Sequence, residues 1–146
     1  MMLKQLSLFI ENKPGTLNAP CRILAEHGIS ISTLSLADTK FFGVLRLLIK
    51  DWEKAAKLLE SKGFAVKLTD VVALEIDHRA GSLSSVLEVF DKHAINVEYM
   101  YAFAPGYNGK AVIIFRFDDP EAALEKLKSE QNAHILDYQD LFGKEN

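Results

Sequence analysis

Asn12-Lys13-Pro14-Gly15-Thr16-Leu17 joins two different periodicities, and it returns later as His78-Arg79-Ala80-Gly81-Ser82-Leu83. Before each copy the apolar residues alternate: Leu6, Leu8 and Ile10 in the first case, Val72, Leu74 and Ile76 in the second. After each copy an amphipathic segment closes on a histidine, as Glu26-His27-Gly28-Ile29 and as Lys92-His93-Ala94-Ile95. The pairs Gly15/Gly81, Leu17/Leu83, His27/His93 and Ile29/Ile95 are all 66 residues apart. An offset that holds without a gap from turn through helix into the next strand implies a duplicated unit. The boundaries expected are residues 1–70 and 71–146, with no Gly/Ser linker at Asp70 and hence two rigidly neighbouring halves.

Within the first copy, Lys4 to Glu11 alternates as a half-buried strand does. Pro14 fixes φ, and Gly15 permits a backbone geometry or close approach that a β-carbon would block. Thr16 is the expected N-cap, with Leu17, Cys21 and Leu24 on one helical face and Pro20 in the first turn. Strands are expected at Ile29–Ala37, Gly43–Lys50 and Phe64–Thr69. A helix capped by Asp51 carries the stripe Trp52, Ala55, Ala56, Leu59. The second copy repeats the order. It has a strand Val71–Asp77, a helix capped by Ser82 with Leu83, Val86, Leu87 and Phe90 on its apolar stripe, and a strand Ile95–Ala104. The turn Pro105–Gly109 and a strand Lys110–Phe117 come next. A helix opening at Asp119-Pro120 with Ala123, Leu124 and Leu127 inward then leads to a strand Ala133–Tyr138 and a fraying end from Leu141.

Each half is therefore βαββαβ. With right-handed crossovers this gives an α+β fold of two tandem ferredoxin-like units, antiparallel sheets with both helices on one face. The third strand of each unit is apolar on both sides, Leu45, Leu47 and Ile49 against Val44 and Leu48, and Ile113, Phe115 and Phe117 against Val112 and Ile114. Tyr99, Tyr101 and Phe103 add an aromatic row. A sheet with one wet face alternates cleanly, so a covered second face is expected, supplied most simply by a homodimer.

Composition excludes several classes. The 146 residues are 49% hydrophobic and 25% charged, as in an ordinary globular protein. A net charge of −3 with a pI near 5.8 opposes electrostatic nucleic-acid binding. RNA-recognition domains share the βαββαβ order, but Lys40-Phe41-Phe42-Gly43-Val44 echoes their basic-glycine-aromatic signature only distantly, and there is no phosphate loop. No apolar run nears the roughly 18 residues of a membrane span, and no signal-peptide core opens the chain. The single cysteine, Cys21, fits a reducing compartment, so a cytoplasmic location is expected. Cys21 reads as a structural thiol on the apolar stripe. His27, His78, His93 and His134 are dispersed, and no metal-ligand or catalytic spacing appears. No enzyme activity, metal or cofactor is expected. His78 alone among the histidines reads as functional, because it occupies the place of Asn12.

With the repeat and the turn in place, the chain resembles tandem ACT-domain proteins. That family's pattern is a strand, a turn of the form Asp/Asn-x-Pro-Gly-x-Leu, and a helix ending near His-Gly-Ile-x-Ile. The first half matches at Asn12, Pro14, Gly15, Leu17, Gly28, Ile29 and Ile31; the second, more loosely, at Gly81, Leu83, Ile95 and Val97, with Ala80 where proline is usual. The resemblance implies a regulatory protein that binds a small ligand, usually an amino acid, where two units sit side by side and join their sheets. By that likeness one site joins Asn12, Lys13, Pro14, Gly15, Thr16 and Leu17 to Asn96, Val97, Glu98 and Tyr99. The other joins His78, Arg79, Ala80, Gly81, Ser82 and Leu83 to Ser30, Ile31, Ser32 and Thr33.

The chemistry of the turn agrees with that expectation. The N–H groups of Gly15, Thr16 and Leu17 at a helix start suit a carboxylate, and the amides of Asn12 and Asn96 suit a zwitterion. Thr33, Tyr99 and Met100 are candidates for side-chain selectivity. The implied role is allosteric regulation of a partner enzyme in trans. The alternative reading is an interaction module, homodimeric or bound to an enzyme, that takes no small ligand.

Overall fold

In the computed structural model, residues 2–38, 40–103 and 109–143 are described. The expected turn at Pro105–Gly109, the final residue of the strand ending at Ala104, the Phe103 side chain and the last three residues of the chain lie outside the described part, apart from Gly109 itself. The elements run β1 (Leu3–Glu11), α1 (Asn18–Glu26), β2 (Thr33–Asp38), β3 (Phe42–Leu48), α2 (Trp52–Ser61) and β4 (Val66–Asp77). They continue with α3 (Ser82–Lys92), β5 (Val97–Phe103), β6 (Lys110–Phe117), α4 (Pro120–Leu127), β7 (His134–Leu136) and α5 (Tyr138–Phe142). The chain divides into two compact units, one of Lys4–Thr69 and one holding the rest.

In the first unit β1 and β2 both pair antiparallel with β3, bringing Leu8 and Leu36 alike opposite Leu45. The alternation read from the sequence places Leu6, Leu8, Ile10, Leu45, Leu47 and Ile49 in one core with Leu24 of α1 and Ala55, Ala56 and Leu59 of α2. In the second unit β4 lies between β6 and β7, and β6 also pairs with β5, all antiparallel. Its core joins Val72, Leu74, Ile113, Phe115 and Phe117 to Val86 and Phe90 of α3 and Ala123, Leu124 and Leu127 of α4. Phe90 meets the rings of Phe115 and Phe117 edge-on, at 5.0 and 5.3 Å, a favoured aromatic geometry.

Several expectations need correction. The strands placed at Phe64–Thr69 and Val71–Asp77 are one continuous strand, β4. Asp70 does not break it, and its carbonyl accepts a hydrogen bond from the Arg116 guanidinium at 3.0 Å. The strands expected from Ile29 and Ile95 begin later, at Thr33 and Val97. The last strand is only three residues long, and α5 takes in Leu141 and Phe142, the first two residues of the end expected to fray. Asp137 accepts from the Asp140 N–H while the Asp140 carboxylate accepts from the Asp137 N–H, a closed capping box, and Phe142 is buried.

Thr16 does not cap α1. Its hydroxyl donates to the Glu11 and Lys13 carbonyls at 2.5 and 2.8 Å, and Leu17 is the N-cap residue. Pro20 explains this, because it lacks the N–H that would bond to the Thr16 carbonyl; the first bond the helix can form goes from Cys21 to Leu17. In the second repeat Val86 replaces Pro20, the Ser85 N–H reaches the Gly81 carbonyl at 3.0 Å, and Gly81, not Ser82, is the N-cap. Asp51 precedes α2 but makes no side-chain cap bond, whereas Asp119 does cap α4, accepting from the Ala122 N–H at 3.1 Å. The face of the sheets opposite the helices is partly covered already: Leu48 and Ile114 are fully buried in the single chain, so their burial needs no second copy.

Where Gly28 follows α1 at φ +68°, its repeat equivalent Ala94 follows α3 at φ +52°. It is the one non-glycine residue in that region among those described. A β-carbon there costs about 1–2 kcal/mol, against roughly 0.5–1 kcal/mol of extra chain entropy that glycine loses on folding. Ala94→Gly is therefore expected to raise stability by about 0.5–1 kcal/mol and Gly28→Ala to lower it by a similar amount, measured as urea unfolding midpoints at constant slope.

Candidate functional site

All six residues of the first turn, Asn12 to Leu17, line one cavity of about 330 Å³. Its far wall comes from the end of β1 and the β2–β3 pair: Ile10, Glu11, Leu36, Asp38 and Gly43. The register explains the meeting. Ile10 and Asp38 both lie opposite Gly43, and Leu36 lies opposite Leu45, so the hairpin returns its end to the turn. The Asn12 N–H fixes that closure by donating to the Phe41 carbonyl at 3.1 Å.

The turn is held by its own groups. Gly15 stands at φ +89°, and a β-carbon there would meet nothing within 4 Å, so backbone handedness, not space, is what glycine supplies. Of the three N–H groups expected to face a ligand, that of Thr16 is engaged, donating to the Lys13 carbonyl at 3.4 Å. Those of Gly15 and Leu17, and the Asn12 carboxamide, have no partner among the described residues. Lys13 pairs with Glu11 at 2.7 Å, and that hydrogen bond holds the ammonium above its ordinary pKa. Leu17 does not join the core as expected; it is 41% exposed and lines the cavity, as Leu36 does at 48%.

The second turn keeps the frame and changes the surroundings. Gly81 stands at φ +88°, and the His78 N–H donates to the Gly109 carbonyl at 2.6 Å, as Asn12 does to Phe41 in the first copy. His78, Arg79, Ala80 and Gly81 are exposed, and Leu83, expected in the core, is 36% exposed. Asp77 is bonded by Lys110 and also pairs with Arg79 at 3.3 Å; the Lys110 hydrogen bond is the main reason its carboxyl is held below the ordinary carboxylate range. A cavity of about 340 Å³ lies beside this turn, lined by Asp77, Arg79, Ser82, Gln131, Asn132 and His134 among others, on the side of β7 rather than of β5.

The remaining expected site residues lie near the starts of β2 and β5. Ser30 and Ser32 are exposed, Ile31 is half-buried, and Thr33 is buried at the start of β2; the Ser32 N–H donates to the Leu48 carbonyl at 2.9 Å. Asn96 is exposed, its carbonyl accepting from the Asp118 N–H at 3.3 Å. Glu98 sits at a bulge between Val97 and Tyr99 and pairs with Arg116 at 3.4 Å. Each of the four segments is described within its own unit; their pairing into two sites rests on the resemblance alone. Sequence reasoning missed Leu36, Asp38 and Gly43, which reach the turn only through strand register. Among the described residues no group of histidines, cysteines and carboxylates is placed to hold a metal, and no helix is long and apolar enough to cross a membrane.

The two βαββαβ units, each with a glycine turn from its first strand into its first helix, define a tandem ferredoxin-like architecture. The ACT domain pair model matches residues 1–142, and the chain belongs to that family. It is similar to the crystal structure of protein BT0572 from Bacteroides thetaiotaomicron, at 37% identity and a TM-score of 0.90 over 99% of this chain and 98% of that one. The regulatory subunit of aspartate kinase from Thermus thermophilus shares the fold at 19% identity and a TM-score of 0.61, over 86% of this chain and 90% of that one. The corresponding subunit from Thermus flavus does so at 19% and 0.58, with the same coverage. No curated protein matches the chain.

The depressed Asp77 carboxyl carries a pH dependence. Its stabilising contribution is present above the ordinary carboxylate pKa and is lost as pH falls through the lower folded-state value. Urea midpoints measured from pH 6 down to pH 2.5 are expected to fall less steeply in Asp77→Asn than in the parent. The difference is small, because the pair is exposed.

Proposed function

We propose that this chain is a non-catalytic regulatory protein of two ACT-like domains, residues 1–70 and 71–146, that binds a free amino acid at the Asn12–Leu17 turn. The observation that carries the reading is the cavity itself: six consecutive turn residues line it, and two of their N–H groups and one carboxamide are left without partners among the described residues. Those groups suit the carboxylate and ammonium carried on one carbon of an amino acid. The family and the fold shared with aspartate kinase regulatory subunits support it. Hydrogen bonds to charged groups contribute roughly 1.5–3 kcal/mol each, and a few of them, less the association cost, correspond to a Kd of about 1 µM to 1 mM. Such an affinity suits a metabolite sensor in the cytoplasm. The chain then acts on an enzyme in trans or through a homodimer.

A second reading, a protein-interaction module without a small ligand, is favoured by the exposed aromatics of the first unit: Phe9 at 62%, Phe41 at 70% and Phe42 at 50%.

Thermal melting against each of the twenty amino acids at about 5 mM separates the two. At a hundred times Kd a ligand adds roughly 2.7 kcal/mol, on the order of 5–10 °C for a chain of this size. The expected outcome is a shift by a small subset of amino acids, abolished in Asn12→Ala. A flat screen of folded protein, with self-association lost in Phe41→Ser, establishes the interaction module instead.

A further inference from the structure

The first-turn cavity is not evenly polar. One wall is the turn, with its free N–H groups. The opposite wall carries the apolar side chains of Ile10 and Leu36 beside the carboxylates of Glu11 and Asp38, and Leu17 adds a further apolar side chain to the lining. Leu17 and Leu36 are 41% and 48% exposed, and both contribute to the cavity lining. Gly43 sets the depth: a β-carbon on it would stand 3.1 Å from Leu36 Cδ1 and 3.4 Å from Ile10 Cγ1, pressing on both. Of the charged residues at the rim, Glu11 and Lys13 neutralise each other, while Asp38 has no ion-pair partner among the described residues. A volume of about 330 Å³ lies at the low end of small-ligand pockets, about 300–1,000 Å³.

The second repeat lacks these features. Strand register puts Ala102 opposite Ile113 where the first unit has Leu36 opposite Leu45, and Ala111 opposite Ile76 where it has Gly43 opposite Ile10. In the sequence the residue 66 places beyond Asp38 is Ala104. The cavity beside the second turn lies on the other side of its strand and is lined chiefly by charged and amide groups.

We infer that the first-turn cavity takes one amino acid with an apolar side chain, and that each chain carries one such site. This rests on the reading of the turn as an amino-acid site and adds the side-chain class and the stoichiometry. The ligand carboxylate meets the N–H groups of Gly15 and Leu17, its ammonium meets Asp38, and its side chain covers Leu17, Leu36 and Ile10. An acidic side chain would face Asp38 and Glu11; a basic one would lay its charge on Ile10 and Leu36 without a partner.

Isothermal titration of the full chain with leucine, valine, methionine, phenylalanine, glycine, aspartate, glutamate and lysine tests this. Members of the apolar set are expected to bind at one per chain. Glycine should bind at least tenfold more weakly, since each buried methylene is worth roughly fourfold in Kd. Leu36→Ser should weaken the best ligand at least fivefold and Asp38→Asn should weaken every ligand, while Ala102→Ser leaves affinity unchanged. Circular dichroism melting checks that each variant folds, and Gly43→Ala, which fills the cavity from the strand side, gives an independent loss. Preferred binding of aspartate, glutamate or lysine overturns the side-chain assignment and leaves the amino-acid site standing. Two molecules per chain overturn the single site. Binding that Leu36→Ser and Asp38→Asn do not alter overturns the cavity. No binding of any amino acid by folded protein overturns the amino-acid reading together with the inference.

Discussion

Between the first strand and first helix of each unit the backbone must pass through a left-handed residue, and much else in the molecule depends on that. Gly15 and Gly81, 66 positions apart, stand at φ +89° and +88°. The space around both is open, so the demand is one of chain direction. The turn closes through backbone bonds: Thr16 to Lys13 and Ser82 to Arg79 within it, Asn12 to Phe41 and His78 to Gly109 across to the neighbouring connection. Those bonds aim the helix so that Pro20 and Leu24, or Val86 and Phe90, enter the core. They also leave the first leucine after the glycine, Leu17 or Leu83, outside it. At the other end of the same helix the second repeat keeps the left-handed geometry after losing its glycine, since Ala94 adopts the φ that Gly28 adopts. The fold thus constrains the backbone more tightly than the residue type.

What was legible in the sequence is what local periodicity determines. The stripes Ala55, Ala56, Leu59 and Ala123, Leu124, Leu127 are buried as read, because a helical face facing a sheet has little freedom. The strand faces Leu6, Leu8, Ile10 and Val72, Leu74 follow from a period of two. What was not legible depended on competition between groups. Thr16 has the right chemistry for an N-cap, yet a proline four residues on removes the bond that would make it one. Asp70 is a poor strand residue, yet its carbonyl is bonded by Arg116 and the strand runs through it. The Asp137/Asp140 box was present in the sequence, but its reciprocal form usually carries a glutamate or glutamine at the second place.

The site divides in the same way. Its turn could be read because glycine and proline are strong punctuation. Its opposite wall could not, because Leu36, Asp38 and Gly43 lie more than eighteen residues from the turn's last residue and reach it only through strand pairing. A half-exposed leucine on an edge strand has no distinct signature in sequence. The absence of a side chain at Gly43 becomes informative only when its neighbours Leu36 and Ile10 are known.

A ligand can shift an equilibrium only by as much as its affinity differs between the two states. In the first unit the cavity spans the Asn12–Leu17 turn and the β2–β3 pair, which the β1–β3 ladder holds together as far as Glu11 and Phe42 and the 3.1 Å bond from Asn12 to Phe41 continues. Anything seated there touches both and favours the arrangement in which they are close. Phe41 is itself the residue that accepts this bond, and its ring, with that of Phe42, is largely exposed. One backbone hydrogen bond thus links the cavity's turn to the most exposed aromatic surface of the unit. On the reading proposed above, that surface is where a bound ligand would be reported to another protein.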